Sequence, residues 1–475
     1  MPNPTEPPAA PVPIRWPALL RGEAPPDGSE AVIEGAPFRT GAETPGTLLL
    51  VPDAACCAGC RPEADAAVEV LLAAPAPRAG VLAVRGRWHR LAPDDAGGWR
   101  WQMRGATAVA QPAPRFAFGR RALLAAAPLV CAAPRIARAQ PDGTIQALLA
   151  TARPTDLHSH AGRVLIARRA VQRPFEPVAV PMREGGMTLI ALAMVADTPT
   201  TQVVGDRIEA VRDPEPGELW RHGQAAFARL HALVAQEALT VVTDRAGLAR
   251  ARQAGAPPSV IVAAEGADML EGRIERVGTL FHEHRLRHLQ LVHYRVNELG
   301  DIQTAAPVHG GLTDFGAQVI RDCNRAGIVV DVAHGTEALV RRAAAVTTHP
   351  LLLSHTAIAR RPSPRSRWVT ADHARIVAAT GGVVGVWPIV GPQPSVRLYA
   401  ESIARMVDAI GIDHVGIGSD LRGLINPAAF EDYRLTPDLA AALLAVGFDP
   451  GGAAKVLGGN HARVLAAVLP GRSGD

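Results

Sequence analysis

The sequence is almost without lysine: Lys455 is the only one, although basic residues number 49 against 45 acidic. Arginine carries nearly all the positive charge, which excludes Schiff-base chemistry and carboxylated-lysine metal bridges from the middle of the chain. A net charge of +4 is too balanced to mark a nucleic-acid binder, and no basic run is interleaved with aromatic residues. The five cysteines are unevenly spaced and make no disulfide framework, and Cys323 alone on a helical segment reads as a small core residue.

What is present points to two or more domains. The chain has 475 residues, and 48% hydrophobic content is enough for a sizeable core. Residues 1 to about 30 have the Pro-, Ala- and Gly-rich composition of a loose leader. From Ala31 to Gln102, short β-like runs (Thr47–Val51, Ala67–Leu72, Gly80–Val84, Gly98–Trp101) alternate with Gly, Pro and Asp clusters. They predict a small all-β domain within residues 1–110, of open-barrel type. It contains Cys56-Cys57-Ala-Gly-Cys60 and resembles a small bacterial β-rich domain with a similar CCxxC. Three cysteines in five residues suit a metal or a buried or redox-active set. No second cluster completes four ligands, and no metal is assigned there.

Residues 111–140 follow another grammar. Arg120-Arg121 precede an apolar run from Ala122 to Ala133, and Ala137-Arg-Ala139 follows. This resembles a twin-arginine export signal with cleavage after Ala139, and implies a periplasmic or exported protein. An apolar run of about 12 residues is too short to span a bilayer as a helix, so no membrane span is expected. Such a signal belongs at an N-terminus, and translation from Met103 would place it there. The alternative is an Ala-rich helix linking two domains of a cytoplasmic protein.

Residues 141–475 repeat strand and helix. Apolar runs occur at Pro154–Leu157, Met187–Val195, Val260–Ala264, Leu289–Val292, Ile328–Ala333, Pro350–Leu353, Gly382–Trp387 and His414–Gly418. Between them lie Ala-, Arg- and Leu-rich stretches such as Gly223–Gln236 and Gly316–Ala326. Apolar runs with polar punctuation suit parallel strands buried on both faces. The fold class expected is α/β, a closed (β/α)₈ TIM-type barrel with insertions. A doubly wound open sheet is the alternative, but the glycine-rich phosphate loop it usually carries after its first strand is not evident.

The strand ends carry the chemistry. The first gives Asp156-Leu-His158-Ser-His160, the third Glu265-Gly266, the fourth His293, the fifth His334, the sixth His355 and the eighth Asp420. Residues at the C-terminal ends of parallel strands face the barrel mouth. Alternation puts His158 and His160 on one face, with Asp156 one layer deeper to orient an imidazole. Neutral imidazoles with a carboxylate suit zinc or a similar divalent ion. Glu265 is the carboxylate placed to bridge two ions, whose bridging hydroxide would be the nucleophile. Asp420 would pass the proton to a leaving amine, and His293 would donate to the developing oxyanion.

Ala264-Glu265-Gly266, the LVH ending in His293, GLTDFG from Gly311, VDVAH ending in His334, LLLSH ending in His355, GIGSD containing Asp420 and Leu457-Gly-Gly-Asn460 together resemble the membrane (renal) dipeptidase family. The likeness covers about Thr155 to Leu469. It implies a binuclear zinc enzyme of the amidohydrolase barrels acting on short peptides, and it leaves a homodimer open. By this likeness His158, His160 and Glu265 hold one zinc, and Glu265, His334 and His355 the other. His293 would contact the scissile carbonyl, and Arg367 in PRSRWVTAD would pair with the substrate's terminal carboxylate, with Arg361 and Arg365 close by in sequence.

Two departures stand out. The family's first strand usually carries His-x-Asp, whereas this chain has His158-Ser-His160, one negative charge fewer, which predicts a weaker second ion. The family's F-D-G after GIGSD is Leu421-Arg422-Gly423, with Arg422 at the mouth. A lactonase- or deaminase-type amidohydrolase, or a metal-binding barrel without turnover, are the rival expectations. His282, His284 and His288 in HEHRLRH read as a solvated helix face. His373 and His461 read as structural, and Trp387 as a residue that packs or lines the pocket rather than catalyses.

Overall fold

The structure is a computed structural model that describes residues 11–14, 19, 24–38, 47–51, 68–73, 82–91, 101–110, 143–166, 174–204, 207–359, 365–391 and 394–471. Cys56, Cys57 and Cys60, the export-like stretch and Arg361 lie outside the described residues. The chain divides into two compact units near residue 140.

The first unit is a six-stranded sheet of β1 (Val12–Ile14), β2 (Glu30–Phe38), β3 (Thr47–Val51), β4 (Val68–Leu72), β5 (Leu82–Arg90) and β6 (Trp101–Ala110). Their order is β1-β2-β3-β4-β6-β5, and a further β2–β5 pairing closes five of them into a barrel instead of the expected open one. The runs at 47–51 and 67–72 are β3 and β4. β5 continues six residues beyond its apolar start because Val84, Gly86 and Trp88 face the core while Arg85 and Arg87 face out. An alternating strand of that kind lacks the continuous apolar run that marked the others. Gly86 sits at an irregularity in the β5–β6 register, where a Cβ would approach Arg104 O to 2.9 Å, so the close crossing admits no side chain. Trp88 and Trp101 stack at 5.6 Å in the core.

The second unit is the expected barrel. β7 (Thr155–Ser159), β8 (Leu189–Val195), β12 (Ser259–Glu265), β13 (Leu286–Gln290), β14 (Val329–Asp331), β15 (Leu352–Thr356), β16 (Val383–Val386) and β17 (Val415–Ile417) pair in parallel, and β17 returns to β7. Every residue of these strands is buried, as expected for strands sandwiched between a core and a helical layer. Helices follow the strand ends after capped turns. Thr313, Thr336, Thr370 and Ser395 each accept a hydrogen bond from the amide three residues on, which fixes where the helices begin. An antiparallel hairpin, β9 (Thr201–Val204) and β10 (Arg207–Ala210), and the two-residue β11 (Thr240–Val241) are inserted between β8 and β12. Cys323 is fully buried on the helix Asp314–Ala326, as expected of a core residue.

Two histidines outside the mouth support the packing. His461 is buried with Nδ1 3.0 Å from Thr155 Oγ1, and His373 is buried on the helix Ala371–Ala379. Burial disfavours the imidazolium and pushes their pKa values from 6.5 down to about 3 and about 4 respectively. The unfolded chain therefore binds more protons, so this stability is complete above about pH 6.5 and falls as pH drops, down to about 4 for His373 and about 3 for His461. The slope is at most about 1.4 kcal/mol per pH unit for each histidine. Urea midpoints measured from pH 8 to 4.5 should fall in this window, less steeply in His461→Gln. A midpoint indifferent to pH would contradict the assignment.

Candidate metal centre and active site

Six strand ends deliver polar side chains to one rim of the barrel. His158 lies in β7 and His160 follows it. Glu265 ends β12, His355 lies in β15, and His334 and Asp420 follow β14 and β17. The fourth strand stops at Gln290, earlier than its apolar run, and His293 follows three residues on. All seven are buried, Glu265 to 3% exposure. His334 and Asp420 hold φ of 66° and 47°, left-handed conformations that cost a non-glycine residue energy and persist only where surrounding contacts impose them.

Glu265 is the hub. Its Oε1 lies 3.2 Å from His334 Nε2, 3.4 Å from His355 Nε2 and 3.6 Å from His158 Nε2. Its Oε2 lies 3.2 Å from His160 Nε2 and 3.4 Å from His293 Nε2. The Nε2 atoms of His158 and His160 are 3.1 Å apart, and those of His334 and His355 are 3.0 Å apart. His160 Nε2 also faces Asp420 Oδ1 at 3.4 Å.

The outer ring nitrogens explain this orientation. His160 Nδ1 is 2.8 Å from the Ala193 carbonyl, which only accepts, so Nδ1 carries a proton and Nε2 faces inward toward Glu265 and Asp420, a lone-pair donor once a metal displaces its proton. His355 Nδ1 meets Ser354 Oγ at 2.9 Å. His158 and His334 have no hydrogen-bond partner at Nδ1 among the described residues. Burial lowers the pKa of His334 well below the usual value and that of His355 to about 4, so both are neutral, the form that binds metal. At His160 burial works in the same direction, but the Asp420 and Glu265 carboxylates outweigh it and raise its pKa to about 10. Burial opposes ionisation of Glu265, yet its histidine neighbours hold its carboxyl well below the usual range.

This donor set fits a divalent metal. Ring nitrogens face one another and carboxylate oxygens at about 3 Å, Asp420 Oδ1 is buried with only His160 Nε2 nearby at 3.4 Å among the described residues, and a cation between them satisfies these atoms. Three groups of donors lie close enough to share an ion: His158, His160 and Asp420; His158, Glu265 and His355; and Glu265, His293 and His334. Asp420, expected as a proton carrier, thus also stands among the metal donors. A Cβ on Gly423 would collide with Asp420 Oδ1 and His160 Cδ2. Gly423→Ala should therefore weaken metal binding by roughly 10–100-fold while the far-UV circular dichroism stays native, and an unaltered affinity would contradict this placement.

A sequence profile of the membrane dipeptidase family, peptidase family M19, matches residues 193–470. The chain belongs to the membrane dipeptidase family. Dipeptidase aclJ of Aspergillus oryzae is 32% identical over 219 residues, which cover 44% of this chain and 51% of that protein. The chain spans about half the length of this curated relative. Among solved structures, an amidohydrolase from Pseudomonas aeruginosa superposes with a TM-score of 0.54 at 21% identity, covering 68% of this chain and 99% of the other. A metallo peptidase from Rhodobacter sphaeroides, solved with a phosphinate mimic of the dipeptide L-Ala-D-Ala, gives 0.53 at 21% identity, covering 66% and 99%. At these identities the superpositions establish the shared fold.

Against the family pattern, His160 in place of aspartate is flanked by two carboxylates, with Nε2 3.2 Å from Glu265 Oε2 and 3.4 Å from Asp420 Oδ1. Arg422 pairs with Glu176 at 2.8 Å and is half-exposed. Arg367 is buried, whereas Arg365 is exposed, which separates the two candidates. The Arg367 Nη1 donates to Gln303 Oε1 at 2.7 Å and Nη2 to His355 O at 3.3 Å, while Nε is buried without a partner. Its guanidinium lies over the Trp387 ring at 5.3 Å, so Trp387 does line the site.

Several residues correct or extend the sequence reading. Asp156 orients no imidazole; its carboxylate takes the backbone amides of His158 and Ser419 and the Tyr433 hydroxyl. His288 is not on a solvated helix face but buried in β13, 2.9 Å from Asp331 Oδ2. Asp197, which ends no predicted ligand motif, accepts from His293 Nδ1 at 2.8 Å and from the Tyr294 amide at 2.9 Å. Tyr294 faces Arg367, and burial raises its pKa to about 12, so it stays a neutral phenol. Asp197 and Tyr294 show no spacing pattern of their own; only the position of His293 beside them could have drawn attention to Tyr294.

Proposed function

We propose that this chain is a metal-dependent dipeptidase, and the observation that carries the reading is the convergence of five imidazoles on the single carboxylate of Glu265. Two zinc ions are the proposed metals, one held by His158, His160 and Glu265 with Asp420 alongside, the other by Glu265, His334 and His355. A metal pair held there would supply Lewis acidity and would activate water as a nucleophile near neutral pH. The protein does the rest. Glu265, its two oxygens facing different histidines, sets the spacing of the two halves. His293 donates from Nδ1 to Asp197 and, because Asp197 and Glu265 outweigh burial and favour its imidazolium, presents an Nε2–H to the scissile carbonyl and the developing oxyanion. Asp420 takes the proton of the nucleophile and returns it to the leaving amine. Arg367 clamps the terminal carboxylate of the peptide, and Trp387 holds the guanidinium plane.

Export through a twin-arginine route belongs to the same proposal, supported by Arg120-Arg121 and the Ala137-Arg-Ala139 site. Residues 103–145 fused to a reporter active only outside the cytoplasm should export it, and retention would count against this part.

The test of the activity is a panel of L,L- and L,D-dipeptides with zinc or manganese added, each paired with its C-terminal amide. Hydrolysis of the free acids and not the amides is expected. Indifference to amidation, or turnover of neutral lactones instead, would favour another amidohydrolase chemistry. A metal-loaded chain without turnover would favour a binding barrel.

A further inference from the structure

Two buried aspartates repeat one hydrogen-bonding arrangement. Asp156 Oδ1 accepts from the His158 amide, two residues on, at 3.3 Å and from the Ser419 amide of the neighbouring strand end at 2.9 Å. Asp331 Oδ1 accepts from the Ala333 amide, again two residues on, at 2.9 Å and from the Ser354 amide of the neighbouring strand at 3.0 Å. In each case the cross-strand partner is a serine immediately before a site residue: Ser419 before Asp420, and Ser354 before His355. Both serine hydroxyls are engaged as well, Ser419 Oγ with Asp156 Oδ2 and Ser354 Oγ with His355 Nδ1. The second carboxylate oxygens are anchored by the Tyr433 hydroxyl at 2.9 Å and by His288 Nε2 at 2.9 Å.

These contacts occur where the β-ladder has few registered pairs. Within the strands β17 and β7 share one registered pair, Ile417 with Asp156. Past it Ser159 bridges Leu421, Asp420 N donates to His158 O at 3.0 Å and His160 N to Leu421 O at 2.9 Å. β14 and β15 share one pair, Asp331 with Leu352, followed by Val332 N donating to Leu352 O at 2.8 Å. The aspartate contacts add side-chain ties to these sparsely paired seams, which carry His158, Asp420, His334 and His355. A fully buried carboxylate is costly unless its lone pairs are used. Here both Oδ1 atoms are used on backbone amides that belong to site-bearing segments of two strands at once, and all four Asp and Ser residues are fully buried.

We infer that Asp156 and Asp331 are positioning residues for separate halves of the metal centre: Asp156 clips His158 to Asp420, and Asp331 clips His334 to His355. The inference rests on the two-ion reading above.

The test measures zinc per chain and zinc affinity by chelator competition in the full-length protein, for Asp156→Ala, Asp331→Ala and their Asn counterparts. Each alanine variant should keep one ion at wild-type affinity and bind the other roughly 10–100-fold more weakly. Which ion is affected follows from pairing. Asp331→Ala with His355→Ala should lose no more than the weaker ion, whereas Asp331→Ala with His158→Ala should weaken both. Asn keeps an acceptor for the two amides and should restore the affinity in each position, a rescue that a general loss of stability would not show. Where an alanine variant does not fold, Asp→Ser, too short to reach the amides, replaces it. Both ions held normally in the alanine variants, or both weakened together in either one, would overturn the inference. If the wild type holds one ion, the two-ion reading fails, and the clips survive only if that ion weakens in one alanine variant and not the other. If it holds none, both ideas fall.

Discussion

Glu265→Gln should empty the metal centre and lower kcat/KM for dipeptides by roughly 10³-fold or more, about 4 kcal/mol of transition-state stabilisation. The substitution keeps the volume of the side chain and removes its charge. Five imidazole Nε2 atoms lie between 3.2 and 3.6 Å from its two oxygens, so no other residue can take over its place between the two halves. An amide would turn its NH₂ group toward some of these lone pairs, satisfying them by hydrogen bonds and removing the need for a cation. The fold should persist, because the charge removed is itself buried and costly. Metal content by elemental analysis, far-UV circular dichroism and dipeptide turnover on one preparation separate these effects. A native, metal-free Glu265→Gln chain is the expected result; retained metal and retained turnover would show that the carboxylate is not the hub.

Arg367→Ala should raise KM for dipeptides by roughly 10²-fold with kcat changed only a few-fold, since a charge-assisted bidentate contact contributes about 1.5–3 kcal/mol per hydrogen bond and acts equally in ground and transition states. The guanidinium is buried on the Trp387 face, with neutral oxygens as its hydrogen-bond partners and Nε without a hydrogen-bond partner among the described residues. Burial lowers its pKa from the usual arginine value, a cost that a carboxylate ligand in the mouth would offset. C-terminally amidated dipeptides supply the control: their poor turnover in the wild type should be no worse in the variant. An unchanged KM for the free acids would remove the dipeptide from consideration and favour a neutral ring as substrate.

The barrel was legible because its strands are buried on both faces. Runs such as Leu189–Val195 and Ser259–Glu265 need no alternation to be recognised, and their ends fell on the residues that meet at the rim. His158, His160, Glu265, His334, His355 and Asp420 were legible for the same reason: a strand end is a place in the fold as well as in the sequence. What lay hidden depends on distances across the chain. Asp197 reaches His293 across 96 residues, and Asp156 reaches Ser419 across 263, with no local pattern to announce either contact. The misplacement of His288 has a simpler cause: HEHRLRH crosses from the helix Glu275–Glu283 into β13, and its histidines sit in different environments. In the small barrel, β5 and β6 alternate arginine and threonine with core residues, which shortened the runs that composition alone could show.

The most direct measurement follows zinc content and dipeptide hydrolysis in the same sample as metal is stripped and returned. Two zinc ions per chain, activity that vanishes on chelation and recovers in step with added zinc, and a fold unchanged throughout are the predicted result. A zinc-free chain that still cleaves dipeptides at the full rate would contradict the claim that the histidines around Glu265 form the reaction centre.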